Sequence, residues 1–483
     1  MRRVAPLFLS GLAVLAACSD DLTPVEPAFA PAFSESATDG SGTYLVRFKG
    51  NGVPAGFASQ VAALGGEVIF AHPVGVAAVS GLTTAAAGQL AASGSVAAVD
   101  ADAETLLEEG DATTVEGGEA SVASPSNPAT AIRYPRQWNL QVIEASKAWN
   151  AGKLGNVKVG ILDTGLDYLH PDLVGRVDLA LSRSFLSAAE NARVQAAFPG
   201  AHEIADLNYH GTHVGSTVVS NGYLAAGVTS GVTLVGLKVC SPGTAANGFR
   251  GSCPTSGTLA AILYAADHGI PVINLSLGGT FNRRNASAAG GFGPSFLATI
   301  NQVFNYAHRK GTTVVVSAGN SALDIDHDGN GYKSYCSVPT VICVSATGPT
   351  SATTVNGPWA NIDALAGYSN YGRSAITVAA PGGNGVSVTG ACSGFTVVTS
   401  ILACRDRFFT SPNNWSAFSV GLSGTSMAAP HVSGLAALIA SEGDTDPARI
   451  RARLTQGADD LGQPGTDPAY GRGRINVGGS LGL

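Results

Sequence analysis

The sequence is poor in charge, in long basic runs and in long apolar runs. Asp, Glu, Lys and Arg make up 13% of its 483 residues, and the basic ones are scattered, so nucleic acid is not an expected partner. The absence of a Cys-x-x-Cys spacing argues against a zinc site. No segment is apolar for long enough to span a bilayer as a mature helix, and no internal repeat occurs.

Small residues are abundant instead. Gly occurs 62 times and Ala is frequent, which suits a compact α/β domain packed through small side chains. The length allows two or three domains and one large buried core.

The N-terminus predicts export. Arg2 and Arg3 precede an apolar stretch at 7–17, which is typical of a signal peptide. Small residues before Cys18 resemble the lipobox of bacterial lipoproteins, so residues 1–18 are predicted to be a lipoprotein-type signal. The alternative is an ordinary signal peptide with an incidental Cys18. We expect an extracellular or cell-envelope protein whose precursor is held by a lipid.

The seven cysteines fit an oxidising compartment. Assigning Cys18 to the lipid leaves six cysteines, for which fifteen pairings are possible. The six fall into three couples that are close in sequence. We predict the disulfide bonds Cys240–Cys253, Cys336–Cys343 and Cys392–Cys404.

Composition divides the rest of the chain into four segments. Residues 19–42 are a Pro/Ala/Ser-rich tether, and residues 43–105 form a small unit with the order β-α-β-β-α-β, which is the ferredoxin-like arrangement. Residues 106–130 have almost no large apolar side chain, which predicts a flexible linker open to proteolysis. Residues 131–483 form the large domain.

The large domain is predicted to be a doubly wound α/β domain with a mostly parallel sheet. Short Val/Ile-rich runs, typical of strands buried on both faces, alternate with amphipathic helices. The runs lie at 157–162, 233–239, 270–275, 312–317, 341–345 and 376–379. The clearest helices are predicted at 255–268, 294–309 and 426–441.

Three segments of this domain carry an acid, a base and a hydroxyl. Asp163 directly follows the first buried strand in the motif DTG, and His210 opens the motif HGTHV. Ser426 lies in GTSMAAPHV, at the start of a helix that has Pro430 in its first turn. A buried carboxylate can orient the imidazole that takes the serine proton, and the helix dipole favours an oxyanion there.

The three motifs in this order resemble the signature segments of the subtilases. The resemblance covers residues 138–483 and implies that Asp163, His210 and Ser426 form a catalytic triad. It also implies that residues 43–105 are an inhibitory prosegment. The chain is then a zymogen that matures by self-processing between residues 107 and 130.

The resemblance extends to the binding of peptide. Asn320 follows a buried strand in the sequence SAGN, and in the family this Asn donates its amide to the oxyanion. The segment Ser276-Leu277-Gly278-Gly279 resembles the edge that pairs with an extended substrate. The pocket between these segments contains small residues and no evident acid, so we expect a broad or apolar side-chain preference.

No cofactor is expected, and a structural calcium ion remains an open possibility. Asp324, Asp326 and Asp328 match the opening of an EF-hand loop, but Tyr335 stands where the closing Glu belongs. A solvated loop is the alternative. Asp172 matches a calcium ligand of many subtilases, although the loop at 221–232 is shorter than the family's. Residues 178–203 are predicted to be a surface insertion.

The predicted function is that of a secreted, monomeric serine endopeptidase acting on polypeptides. Two rival functions would use the same fold. A serine-carboxyl peptidase of the same fold would use Glu in place of His, which the HGTHV motif disfavours. A catalytically dead scaffold that serves as a binding module would not need all three triad residues.

Overall fold

The computed structural model describes residues 41–108, 112–118, 124–244, 250–282, 293–329, 331–333, 335–397 and 417–483. The predicted signal peptide and the tether up to residue 40 lie outside the described residues, as does Cys404 of the third predicted disulfide bond.

The N-terminal unit has the predicted β-α-β-β-α-β order. Its elements are β1 (Ser41–Phe48), α1 (Phe57–Ala63), β2 (Glu67–His72), β3 (Val76–Thr83), α2 (Thr84–Ala91) and β4 (Val96–Ala101). The four strands form an antiparallel sheet in the order β2-β3-β1-β4. The ferredoxin-like prediction for this unit is confirmed.

The remaining described strands in chain order are β5 (Glu104–Leu106), β6 (Ala112–Gly118), β7 (Lys158–Asp163), β8 (Arg183–Ser184), β9 (Thr233–Lys238), β10 (Ser252–Pro254), β11 (Val272–Leu275), β12 (Thr280–Asn282), β13 (Thr313–Ser317), β14 (Gly331–Lys333), β15 (Ile342–Thr347), β16 (Ser351–Ala352), β17 (Trp359–Ala360), β18 (Val378–Pro381), β19 (Val388–Cys392) and β20 (Ala417–Leu422). The helices are α3 (Trp138–Val142), α4 (Ala145–Asn150), α5 (Ala188–Ala197), α6 (His210–Val218), α7 (Thr255–Asp267), α8 (Pro294–Arg309), α9 (Thr425–Ala440), α10 (Pro447–Gln456) and α11 (Val477–Leu481), with 3-10 turns at Pro128–Thr130 and Tyr134–Arg136.

A seven-stranded sheet in the order β18-β15-β13-β11-β7-β9-β8 organises the large domain. All of its neighbouring strands are parallel. Six of the seven are the strands that the apolar runs predict, and β8 is the exception, since it lies in the segment predicted to be an insertion. The doubly wound α/β prediction is confirmed.

The N-terminal unit packs on helices α7 and α8 of the large domain. Leu45 and Val76 of its sheet belong to the same buried apolar cluster as Leu259 of α7 and Phe296 and Ile300 of α8. Polar contacts surround this cluster. His72 Nε2 lies 2.9 Å from Asp267 Oδ2, Gln302 Nε2 donates to the Val74 carbonyl at 2.6 Å, and Ser295 Oγ donates to Asp100 Oδ1 at 2.5 Å.

Part of the segment predicted to be a linker has regular structure. Strand β6 pairs antiparallel with β20 in a three-stranded sheet, and the Leu107 side chain is fully buried. Main-chain hydrogen bonds to a strand edge can be made by any residue with a free N–H. A composition without large apolar residues therefore did not exclude this strand.

Within the described residues, Cys392 of the third predicted disulfide bond is disulfide-bonded, and the other two predicted bonds, Cys240–Cys253 and Cys336–Cys343, are both present. They close loops of 13 and 7 residues. Among the described helices, none has both the length and the apolar character needed to cross a membrane.

Candidate active site

The carboxyl ends of three adjacent strands define the site. Strand β11 pairs in parallel with β7 on one side and with β13 on the other. Asp163 is the last residue of β7, Ser276 follows β11, and Asn320 follows β13. Because parallel strands end at the same sheet edge, these polar groups converge at one edge, where open α/β sheets bind ligands.

Asp163 and His210 form a buried pair. Their side chains are 0% and 1% exposed, and His210 Nδ1 donates to Asp163 Oδ1 at 2.8 Å. The same carboxylate oxygen accepts the Thr164 backbone N–H at 2.7 Å. This contact fixes the imidazole tautomer with the proton on Nδ1 and leaves Nε2 the nitrogen suited to accept a proton.

Asp206 ties the two motifs together, a role that the sequence reasoning missed. Its carboxylate accepts from the Thr164 hydroxyl at 2.8 Å and from the Thr212 hydroxyl at 2.6 Å. Burial raises the pKa of the Asp206 carboxyl, and the hydrogen bonds from Thr212 and Thr164 act in the opposite direction. Gly211 allows helix α6 to approach the loop after β7, since a Cβ at this position would overlap the Gly165 carbonyl. The sequence signal that could have revealed this role is an Asp four residues before the first histidine of HGTHV.

Ser426 is the second residue of α9, which packs against α6, the helix that begins at His210. The side chain of Ser426 is buried, and its hydroxyl donates to the Ser276 carbonyl at 3.2 Å. In return, Ser276 Oγ donates to the Ser426 carbonyl at 2.7 Å. These contacts hold the start of α9 against the end of β11.

Pro430 has a different position from the one predicted. It is the sixth residue of α9 and lies inside the helix, beyond the first turn. A residue at 430 would ordinarily donate its N–H to the carbonyl of Ser426, but proline has no N–H. The Ser426 carbonyl is therefore available to the Ser276 hydroxyl that binds it.

The amide of Asn320 is oriented by Thr425. Asn320 Oδ1 accepts from the backbone N–H of Thr425 at 2.9 Å and from its hydroxyl at 2.8 Å. With the oxygen committed in this way, Nδ2 points at the carbonyl oxygen of Glu108 and donates to it at 2.6 Å. Asn320 is therefore an amide donor aimed at a peptide carbonyl.

The chain that follows the N-terminal unit runs as an extended strand to the site, where Asn320 binds Glu108. We call the space that it occupies the cleft. Strand β5 pairs antiparallel with β10, and beyond it the Leu107 N–H donates to the Gly251 carbonyl at 2.7 Å. Arg250 Nε donates to the Leu107 carbonyl at 2.7 Å. The sequence reasoning did not identify β10 as a peptide-binding edge.

A pocket beside Ser426 holds the Glu108 side chain. Ser276, Leu277 and Gly278 line it, and the remaining member of the predicted SLGG edge, Gly279, immediately precedes β12. The lining also includes a charged group that the sequence pattern did not indicate. The buried ammonium of Lys333, 1% exposed, lies 2.9 Å from Glu108 Oε1.

His213 and His431 lie near the site but are engaged elsewhere. His213 Nε2 donates to the Val388 carbonyl at 3.0 Å, and His431 Nδ1 donates to the Met427 carbonyl at 2.8 Å. Burial lowers the pKa of His213 to about 3 and that of His431 to about 4. Both rings are therefore neutral groups that pack beside the site.

The candidate calcium ligands bind protein groups. The Asp172 carboxylate accepts three backbone N–H groups, from Tyr223 at 2.7 Å, Leu224 at 2.9 Å and Ala225 at 3.2 Å. Asp326 accepts from the backbone and hydroxyl of Ser374. Donors that converge on a carboxylate do not suit a cation. In the described part of the chain, no three His, Cys, Asp or Glu side chains are gathered as a metal site.

The chain is similar in sequence to known proteins. Residues 155–473 match the subtilase family. A thermophilic serine proteinase from Bacillus sp. (strain AK1) is 32% identical over 342 residues, which cover 70% of this chain and 65% of that protein. Thermitase from Thermoactinomyces vulgaris is 31% identical over 348 residues, covering 71% of this chain and 94% of thermitase.

Solved structures share the fold. The epidermin leader peptide processing serine protease from Staphylococcus aureus matches with a TM-score of 0.66 at 21% identity, over 91% of this chain and 98% of that one. Fervidolysin from Fervidobacterium pennivorans matches with a TM-score of 0.67 at 23% identity, over 93% of this chain and 62% of that one. The extent of the family match and the identity to thermitase settle the membership: this chain belongs to the subtilase family of serine proteases.

Proposed function

We propose that the protein is an exported serine endopeptidase that hydrolyses polypeptides through an acyl-enzyme on Ser426 and is made as a self-processing precursor. One observation carries the proposal. The Glu108 carbonyl accepts a hydrogen bond from the Asn320 amide at 2.6 Å, in a pocket that Ser426 also lines. A peptide of this chain thus lies in the cleft as a substrate would.

The proposed mechanism gives every group of the site a defined role. His210 Nε2 takes the proton of the Ser426 hydroxyl as the oxygen attacks the peptide carbonyl, and Asp163 stabilises the imidazolium that forms. The Asn320 amide and the backbone N–H of Ser426 bind the developing oxyanion. His210 then protonates the leaving amine, and water, deprotonated by the same ring, hydrolyses the acyl-enzyme.

The prosegment is proposed to inhibit by occupying the cleft. Its last strand is hydrogen-bonded to β10, and its sheet packs on α7 and α8. Asp102 adds an anchor at the start of α7, where its carboxylate accepts from the Ser256 backbone N–H at 2.9 Å. An extended chain in the cleft excludes other peptides for as long as the prosegment stays bound.

Export and anchoring rest on the N-terminal sequence. The signal and Cys18 belong to residues 1–18, so a cut beyond residue 107 would release the large domain from a lipid-anchored precursor. The two disulfide bonds support an oxidising compartment.

The test compares purified wild type with Ser426→Ala. A fluorophosphonate probe should label the wild type at Ser426 and leave the variant unlabelled. Mass spectrometry should find the wild type shortened and the variant at full precursor length. A scaffold without activity would remain unlabelled, and equal lengths of the two proteins would exclude self-processing.

A further inference from the structure

We propose that this protease cleaves after glutamate, that Lys333 selects the glutamate side chain, and that the precursor cuts itself between Glu108 and Glu109. The proposal rests on the function proposed above, because it assigns the substrate class of the same site. It departs from the broad or apolar preference that the sequence suggests.

The backbone contacts identify Glu108 as the residue on the acyl side of the cut. The register of β5 on β10 pairs Leu106 with Ser252, and the Leu107 N–H donates to the Gly251 carbonyl at 2.7 Å. The next carbonyl along the chain, that of Glu108, is the one bound by the Asn320 amide. The carbonyl in the oxyanion position belongs to the scissile bond, which is therefore the bond that joins residues 108 and 109.

Three groups hold the carboxylate of Glu108 inside the pocket. Lys333 Nζ donates to Oε1 at 2.9 Å, and the Ser321 hydroxyl donates to the same oxygen at 3.4 Å. The Asn320 backbone N–H donates to Oε2. Charge-assisted hydrogen bonds of this kind are roughly twice as strong as neutral ones, and they read both the charge and the length of the side chain.

Lys333 is built into the floor of the pocket. It ends strand β14, which pairs with β12, and its partner there is Thr280, directly after the SLGG segment. Gly319 makes room for it. The residue has φ of +98°, and a Cβ there would overlap the Lys333 ammonium. The wall of the pocket is thus shaped around a lysine.

A buried ammonium needs a carboxylate. Lys333 is 1% exposed, and in the described part of the chain Glu108 is the only acidic residue that forms an ion pair with it. A cation left unpaired in such a place is strongly disfavoured, because it has lost its water and gained no counter-charge. An apolar side chain in the pocket would leave this cation unpaired, Gln would lack the charge, and Asp is one methylene too short to make the same contacts.

The ionisation of Glu108 agrees with this pairing. Burial, the largest single effect, would raise the pKa of the Glu108 carboxyl, but Lys333, the Asn320 N–H and Arg250 together outweigh it, and the pKa falls below the ordinary 4.5. The bound side chain is therefore a carboxylate at neutral pH.

The test measures the preference directly. Processed enzyme obtained from the full-length chain is given fluorogenic amides of Thr-Leu-Leu-Xaa, with Glu, Gln, Asp or Leu at Xaa. A charge-assisted bond predicts that kcat/KM for Glu exceeds that for Gln by about 10–100-fold. Lys333→Met should abolish this ratio and make Leu the better substrate. Lys310→Met, which changes an exposed lysine, should leave the order unchanged.

Processing of the precursor provides a second readout. Glu108→Leu should slow self-processing of the otherwise wild-type chain, and the double variant Glu108→Leu/Lys333→Met should restore it. Mass spectrometry of the wild type should find Glu109 at the new N-terminus. A new N-terminus at another residue would overturn the assignment of the cut.

The outcomes separate this proposal from the one it rests on. Equal kcat/KM for Glu and Gln, in an enzyme whose Ser426 reacts with a fluorophosphonate, would overturn the glutamate preference and leave the protease function standing. Failure of every peptide, together with an unlabelled Ser426, would overturn the protease function itself. The Glu-to-Gln ratio of the wild type decides the matter even if Lys333→Met does not fold.

Discussion

Asn320 contacts Glu108 through two separate groups. Its side-chain amide binds the Glu108 carbonyl, and its backbone N–H binds the Glu108 carboxylate. The first contact belongs to the proposed chemistry and the second to the recognition of the side chain. Substitution of the side chain can separate the two, because every residue except proline retains the backbone N–H.

Asn320→Ala should lower kcat about 10²–10³-fold, the loss measured for one oxyanion-hole donor in subtilisin. The ratio of kcat/KM for Glu to that for Gln should persist, because the backbone N–H and Lys333 remain. Steady-state kinetics with the two Thr-Leu-Leu-Xaa amides gives both numbers. Asn356→Ala, at an exposed position, is the matched control. If the Glu-to-Gln ratio collapsed along with kcat, the separation of roles would be wrong.

The residues that motifs mark were predictable, and those that only the fold brings together were not. Asp163, His210, Ser426 and Asn320 stand in short patterns of known order. Lys333 lies thirteen positions beyond Asn320, in a segment whose Asp/Gly pattern indicates a calcium loop. Its place in the pocket depends on the pairing of β14 with β12, which no local pattern specifies.

Elements were predicted well wherever burial decides them. The six long strands of the sheet are Val/Ile-rich because both of their faces are covered. Strands β8 and β10 have two and three residues and lie at edges, where main-chain hydrogen bonds and tertiary context decide the structure. The peptide-binding edge was missed for that reason.

The disulfide bond Cys240–Cys253 ties strand β10 to the chain after β9. Replacing both cysteines with alanine should loosen this edge and raise KM for Thr-Leu-Leu-Glu amide. The free energy of unfolding should fall by roughly 2–4 kcal/mol. Steady-state kinetics of the active enzyme would measure the change in KM. Urea unfolding of the inactive Ser426→Ala form, with and without the two cysteines, would measure the change in stability.

Substrate length supplies the internal control. An acylated Glu amide lacks the residues that contact Gly251 and β10. It should be cleaved equally well by the wild type and by the variant without the disulfide bond, because its side chain still meets Lys333. An equal loss for the short and the long amide would mean that the disulfide bond supports the whole pocket rather than the edge alone.

The chain has a continuous interior that joins its N-terminal unit to its large domain. Residues of the N-terminal sheet, of α7 and α8 and of the central strands belong to one buried cluster. Unfolding of the full chain should therefore be sensitive to groups that lie deep in the large domain, including its buried histidines.

These histidines predict a loss of stability in acid. In the folded chain the pKa of His213 is lowered to about 3 and that of His431 to about 4, against an ordinary 6.5. Below pH 6.5 the unfolded chain takes up protons that the folded chain refuses, so the free energy of unfolding falls as the pH falls. Each ring contributes a slope of up to about 1.4 kcal/mol per pH unit, until the pH reaches its folded pKa.

Urea unfolding of Ser426→Ala between pH 4 and pH 7 measures this slope without autolysis. Adding His431→Gln should lower the slope by about the contribution of one histidine. A neutral amide then replaces the titrating ring that is hydrogen-bonded to Asn139 and Met427. Adding His268→Gln, at an exposed position, should leave the slope unchanged. An unchanged slope after His431→Gln would mean that this ring already accepts a proton in the folded chain. The contact of His431 Nε2 with Asn139 Nδ2 at 2.8 Å argues against such protonation, because the ring nitrogen is the acceptor there.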